Sequence, residues 1–203
     1  MPPSDADRRL LAAAAAGDVA AITAALAEGA DPDARDAAGS PALMLATRAR
    51  AADVVGALLD AEADPDAQDG ERFNPFLYAG AEGLLDILKL VSEAGADPAI
   101  TNRYGGVALI PASERGHVEV VRYLLSETDV DVDHVNDLGW TALLEAILLS
   151  DGGHRHQEIV SLLIEHGADV DLADGDGVRP LAHARARGQT VIATMLVSAG
   201  ATI

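Results

Sequence analysis

Carboxylate pairs recur in this sequence at Asp31 and Asp33, Asp64 and Asp66, Asp131 and Asp133, and Asp169 and Asp171. Paired carboxylates serve general acid–base chemistry where each is held against an oriented partner in a pocket. Here they return once per turn of a repeating chain, which marks them as turn formers and helix caps. Asp151, His154 and His156 offer a His-x-His set with a carboxylate, the donors of a weak transition-metal site. No further ligand is fixed on rigid structure near them, so the stretch reads as a solvated loop. With no cysteine, a thiolate zinc site, a disulfide framework and a cysteine nucleophile are all excluded. Lys89 is the sole lysine and no glycine-rich stretch has phosphate-loop spacing, so nucleotide binding is unsupported. The expectation is a non-catalytic chain with no catalytic, cofactor or metal residues and no cofactor.

The charge balance narrows the partners. Lys and Arg total 14 against 33 Asp and Glu, a formal net charge of −19. Residues 1–101 carry −11 and residues 102–203 carry −8, so neither half is a basic arm. Such a field repels phosphate backbones and anionic lipid heads, which argues against nucleic acid and membrane as partners and for a protein with a basic surface. The Arg8-Arg9 start with its short apolar run superficially resembles a secretion signal, but the run is seven residues and falls in register with a repeat. The expected location is cytoplasmic.

The elements that must position these residues follow from one period. Units beginning at Pro3, Asp36, Asp69, Asn102, Asn136 and Asp174 are spaced by 33, 33, 33, 34 and 38 residues. The eighth place of each is large and apolar: Leu10, Leu43, Phe76, Leu109, Leu143 and Leu181. A later i, i+1, i+4 set (Val54, Val55, Leu58; Ile87, Leu88, Val91; Val120, Val121, Leu124; Ile159, Val160, Leu163) is one face of a second helix. Gly17, Gly83, Gly116 and Gly188 stand between the helices, and Gly-Ala pairs end the second one. Small residues at Ala13, Ala46, Ala79, Ala112, Ala146 and Ala184 let first helices approach closely. The fold predicted is all-α, a solenoid of about six helix-turn-helix repeats with projecting turns. It forms one domain over 1–203, with repeats at approximately 3–35, 36–68, 69–101, 102–135, 136–173 and 174–203. A single hairpin cannot bury its apolar faces, so stability lies in the stacking.

Gly116-His117-Val118-Glu119-Val120-Val121 with Leu124-Leu125, and Gly167-Ala168-Asp169-Val170-Asp171, resemble the ankyrin repeat over essentially the whole chain. The usual Thr-Pro-Leu-His opening is degraded to Thr141-Ala142-Leu143-Leu144 and Arg179-Pro180-Leu181-Ala182. Residues 102–185 more narrowly resemble small stand-alone bacterial ankyrin proteins of the YahD kind. The resemblance implies a bacterial protein without appended catalytic domains, and structural roles for His117 and His183 in bonding between turns or helices.

It also implies binding through turn tips and the exposed face of the first helices, which line a concave groove. Carried over place by place, the partner-binding residues are Phe73, Arg103, Tyr104, Glu114, Arg115, Leu138, Trp140, Arg155 and Arg187. Aromatics flanked by Arg make interface hot spots. The alternative is that each aromatic packs over the neighbouring turn, and that the Arg side chains pair with Glu114, Glu145 and Asp137. Two functional classes follow: a protein–protein interaction module, or a dedicated accessory or inhibitor subunit of one enzyme or toxin. A small-molecule or metal carrier would need the Asp151–His156 loop to close a pocket. A monomer is expected, with weak self-association through Met195, Leu196 and Val197 up to Ile203 as the alternative.

Overall fold

The computed structural model describes residues 3–202. Among them lie twelve α-helices, and the one extended pairing is a single antiparallel bridge between Arg35 and Pro41. The chain is therefore all-α, in successive helical hairpins. Two compact units are distinguished, one running through Ala79 and taking in Leu84–Arg103, the other made of Gly80–Gly83 and the chain from Tyr104 onward.

The first unit contains α1 (Asp5–Ala16), α2 (Val19–Ala27), α3 (Ala42–Arg48), α4 (Ala52–Asp60), the start of α5 (Pro75–Glu82), and α6 (Leu85–Glu93). Helices this short are marginal alone, so their caps and their packing decide them. Ser4 and Asp7 close a capping box on α1, and the Asp18 carboxylate accepts the Ala21 N–H at the start of α2. The Asn74 side chain does the same for Leu77 in α5. Leu10, Leu43 and Phe76 are fully buried, as are Val54, Val55 and Leu58 of α4 and Leu88 and Val91 of α6. Burying each such side chain contributes about 1.5–3 kcal/mol. The Arg8-Arg9 run is simply α1, with Leu10, Leu11, Ala13 and Ala14 on its buried face.

The second unit contains α7 (Leu109–Glu114), α8 (Val118–Glu127), α9 (Ala142–Leu148), α10 (His154–Glu165), α11 (Pro180–Ala186) and α12 (Thr190–Ser198). Leu109, Leu143 and Leu181 form its core with Val121, Leu124, Ile159, Val160 and Leu163. Ala112, Ala146 and Ala184 have no accessible surface, so the first helices α7, α9 and α11 meet over side chains that leave room for nothing larger. Thr141 caps α9, and α11 begins on Pro180, whose missing N–H costs nothing there. Val191 and Val197 of α12 are exposed; Ile203 lies outside the described residues.

The helix-to-helix turn needs a left-handed residue, and Gly17, Gly83, Gly116 and Gly188 supply it with φ of 71, 71, 75 and 69°. The second hairpin carries Arg50 in the same place at φ 58°, and Glu62 and Arg72 likewise occupy glycine positions of the period at 64 and 62°. Side chains are tolerated there at a cost, because the rest of the repeat fixes the backbone.

The paired aspartates do not cap helices, contrary to expectation. The first of each pair accepts the N–H of the second at about one turn's reach, as in Asp33 N to Asp31 (3.0 Å), Asp66 N to Asp64 (2.9 Å) and Asp171 N to Asp169 (2.9 Å). The second reaches the following repeat. In the first unit Asp33 accepts from Asp64 N (2.8 Å) and Asp66 from Asp97 N (2.9 Å); in the second, Asp133 accepts from Asp169 N and Asp171 from Thr202 N, both at 2.9 Å. Repetition in the sequence thus records a seam of identical bonds.

Candidate partner-binding site

In the second unit the sequence Asn136-Asp137-Leu138-Gly139-Trp140 makes a closed turn. The Asn136 carbonyl oxygen of the side chain accepts the N–H groups of Leu138 and Trp140, both at 3.0 Å, and Asn136 N donates to the Trp140 carbonyl. Gly139 is required twice over: its φ is 78°, and a Cβ there would stand 2.9 Å from Gly175 N. The preceding turn is tied on by Asp137 N to the Tyr104 carbonyl (3.0 Å) and by His134 Nε2 to the Gly105 carbonyl (2.7 Å). Two large apolar side chains project from these fixed turns, Tyr104 at 52% and Leu138 at 59% exposure, with Val135 also exposed and Trp140 half-buried. The structure therefore brings Tyr104, Leu138 and Trp140 onto neighbouring, hydrogen-bonded turns.

The basic residues are more engaged than their types suggest. Arg115 donates to the Ala81 carbonyl (2.9 Å) and to Glu82 (2.5 Å), and Arg187 donates to the Ser150 carbonyl (3.1 Å). Arg103, in the first unit, lies 3.5 Å from Glu71. The anticipated partners were Glu114, Glu145 and Asp137; the observed acids of Arg103 and Arg115 lie about one repeat earlier, because these side chains lean along the stack. Glu114 offers its backbone carbonyl to His156 Nε2 at 2.9 Å. Arg115, Asp151, Gly153, His154, Arg155 and His156 line an open depression of about 300 Å³.

The connection between α9 and α10 is longer than in the other hairpins but pinned throughout. Ser150 Oγ donates to the Ala146 carbonyl and accepts from Gly152 N, Gly153 N donates to Asp151, and Gln157 donates to the Gly152 carbonyl. Asp151, His154 and His156 line the depression beside Arg115, yet no group of three or more His, Asp or Glu among the described residues is placed to hold a metal ion.

Phe73, in the first unit, packs edge-on against Tyr78 with centroids 6.3 Å apart. Arg48 stands 5.4 Å over the same Tyr78 ring and donates to Asp69 at 2.5 Å, which fixes the turn that carries Phe73. Sequence reasoning passed over Arg48 because the contact joins the end of α3 to the next repeat's turn. Its one cue was a basic residue in a chain with few.

One further group was underrated, and the two histidines bond as the resemblance implies. Glu145, on α9, is buried and accepts from the Asn136 side-chain amide at 2.9 Å. Burial, then the negative charge of Glu114, pushes its carboxyl up to about 7, with the Asn136 bond opposing. His117 Nε2 donates to the Ala81 carbonyl at 3.2 Å, while burial holds its imidazole below the ordinary range. His183 binds Asp174 at 2.7 Å, closing its own turn.

The family profile described as Ankyrin repeats (3 copies) matches residues 10–102, 76–174 and 112–203. The chain is similar to the ankyrin repeat protein YahD of Escherichia coli K12, 52% identical over 99 residues that make up 49% of each chain. It is 34% identical over 103 residues to human BCL-6 corepressor-like protein 1, of which the match covers 6%. The chain thus spans about half the length of the first of these relatives and a small part of the second. Among solved structures, an ankyrin repeat domain from Acinetobacter baumannii superposes with a TM-score of 0.93 at 52% identity, covering 95% of this chain and 98% of that one. The ankyrin repeat domain of Bcl-3 does so at 0.86 and 26%, covering 98% and 89%. With the helical hairpins in register and the profile matched almost from end to end, this chain belongs to the ankyrin-repeat family.

Proposed function

We propose that the chain is a non-catalytic protein–protein interaction module of the bacterial cytoplasm, binding a protein partner through turn tips and the exposed face of its first helices, as one domain of six repeats. The observation that carries the proposal is the pair Tyr104 and Leu138: large apolar side chains more than half exposed, on turns hydrogen-bonded to each other. Apolar groups held rigidly in water bury area on binding at small entropic cost. Trp140 lies beside them, and Glu114, Arg115, Arg155 and Arg187 supply the polar margin. Phe73 and Arg103 are proposed as contacts of the first unit. The net charge of −19 favours a partner with a basic surface and hastens association with it.

A second reading, a dedicated accessory or inhibitor subunit of one enzyme or toxin, is favoured by that same charge, which suits one strongly basic client. Tagged capture with the native chain and with the combined Tyr104→Ala, Arg115→Ala, Trp140→Ala variant tests the site. The variant is expected to keep its helical circular dichroism and lose the captured protein. Retention of the partner by the folded variant overturns the assignment. One salt-sensitive client would indicate the subunit reading, several unrelated clients the general module.

A further inference from the structure

Asn136 holds the fifth turn from both ends of its side chain. Its oxygen takes the N–H groups of Leu138 and Trp140, and its amide nitrogen reaches back to the Glu145 carboxyl at 2.9 Å. The sixth turn has the opposite polarity at the same spacing, for there Asp174 is the acceptor and His183, nine residues on, the donor. Exchanging an Asp–His pair for an Asn–Glu pair moves the titratable carboxyl from the turn onto the helix α9, where Glu145 is only 6% exposed.

Among the described residues none forms an ion pair with Glu145, and the one charge that acts on it is negative. Its helix α9 packs against α7, α10 and α11. From α7 comes Glu114, a like charge. On α10, His156 is committed to the Glu114 carbonyl, Glu158 to Arg122, Glu165 to Ser161 and His166 to the Leu162 carbonyl, while His154 and Arg155 line the depression beside Arg115. On α11, His183 is committed to Asp174 and Arg187 to the Ser150 carbonyl, and Arg185 is exposed.

We infer that Glu145 is the positioning residue of the Leu138–Trp140 tip, acting through Asn136, and that a proton gained or lost at this carboxyl tightens or loosens the tip. What the tip touches rests on the partner-binding reading above; the tip's response does not. A neutral carboxyl keeps an acceptor for Asn136 without placing charge in the stack. An ionised one is drawn toward water and away from Glu114, and carries Asn136, with its two bonds to the tip, along. The change falls near neutrality, since burial and Glu114 hold the carboxyl up to about 7.

Trp140 is the sole tryptophan of the sequence, so its emission reports this turn in the free chain. Between pH of about 5.5 and 8.5 the native chain is expected to show a transition centred near neutrality that Glu145→Gln lacks, because the amide keeps an acceptor and cannot ionise. A flat native profile, or a transition that persists in Glu145→Gln and so belongs to another group, overturns the inference. A second measurement needs no variant: the Glu145 carboxyl carbon in labelled native chain is expected to titrate near neutrality, and titration in the ordinary carboxylate range overturns it. Neither measurement involves a partner, so a failed capture experiment and a failed titration are separately visible.

Discussion

Asp33 accepts the backbone N–H of Asp64 at 2.8 Å, joining two turns that are 31 residues apart in sequence. Asp66 repeats the bond to Asp97 over the same separation. A turn residue that also binds the next turn makes the interface between repeats polar at its rim and apolar at its centre. Asp33→Ala is therefore expected to cost about 1 kcal/mol and to raise hydrogen exchange at the Asp64 amide. Unchanged exchange at that amide would show the bond to be idle.

Ala112 marks the close approach of first helices in the second unit. With no accessible surface around it, Ala112→Leu must push α7 from α9. The expected loss is about 1–3 kcal/mol or more, seen as a lower thermal midpoint. An unshifted midpoint would mean that the repeats are registered differently.

Glu62 and Arg72 hold left-handed backbone where the repeat elsewhere uses glycine. Left-handed backbone costs an L-residue roughly 1–2 kcal/mol, offset in part by the greater chain entropy of glycine. Glu62→Gly and Arg72→Gly are each expected to gain about 0.5 kcal/mol in denaturant unfolding. A loss at both sites would indicate that their side chains make contacts worth more than the strain.

Acid and base act on this stack through different carboxylates. Asp7, Asp171 and Asp174 lie below the usual range, chiefly because backbone N–H groups of Asp31, Thr202 and Val178 bind their charged forms. Their contribution is present above the ordinary aspartate value and is lost as pH falls through their lowered values. Glu145 runs the other way: raised to about 7 from 4.5, it contributes stability below its unfolded value that is lost as pH rises through its folded value. Glu145→Gln should flatten the decline between mildly acidic and neutral pH, a difference on the order of 1–3 kcal/mol. Parallel stability–pH curves for the two proteins would contradict this.

The period of the sequence was enough to place the helices, because the eighth-position apolar residues and the second-helix triplets recur at fixed offsets and each hairpin must bury them. The turn glycines were legible for the same reason. Arg50, Glu62 and Arg72 were not, since at those places the rest of the repeat imposes a conformation that the residue itself disfavours. The candidate site divides similarly. Tyr104 and Leu138 could be placed on turn tips by counting, whereas the bonds of Arg115 to Glu82 and of Arg48 to Asp69 join different repeats and leave no local pattern. Glu145 looked like a pairing partner for a surface arginine, although every other residue of Ala142–Leu148 is apolar, the mark of a helix buried all round.

The Asp133-to-Asp169 bond spans 36 residues where its counterparts in the first unit span 31, and the difference equals the five residues by which the fifth repeat exceeds the 33-residue spacing. Extra chain has been taken up wholly at the α9–α10 end of the hairpin, while the acidic stitching at its other end is unaltered. Neighbouring repeats are thus joined at both ends of this hairpin by different means, aspartate to backbone N–H at one, and Arg187 and Gln189 to the Ser150 carbonyl at the lengthened other, so the added residues are themselves held by the repeat that follows.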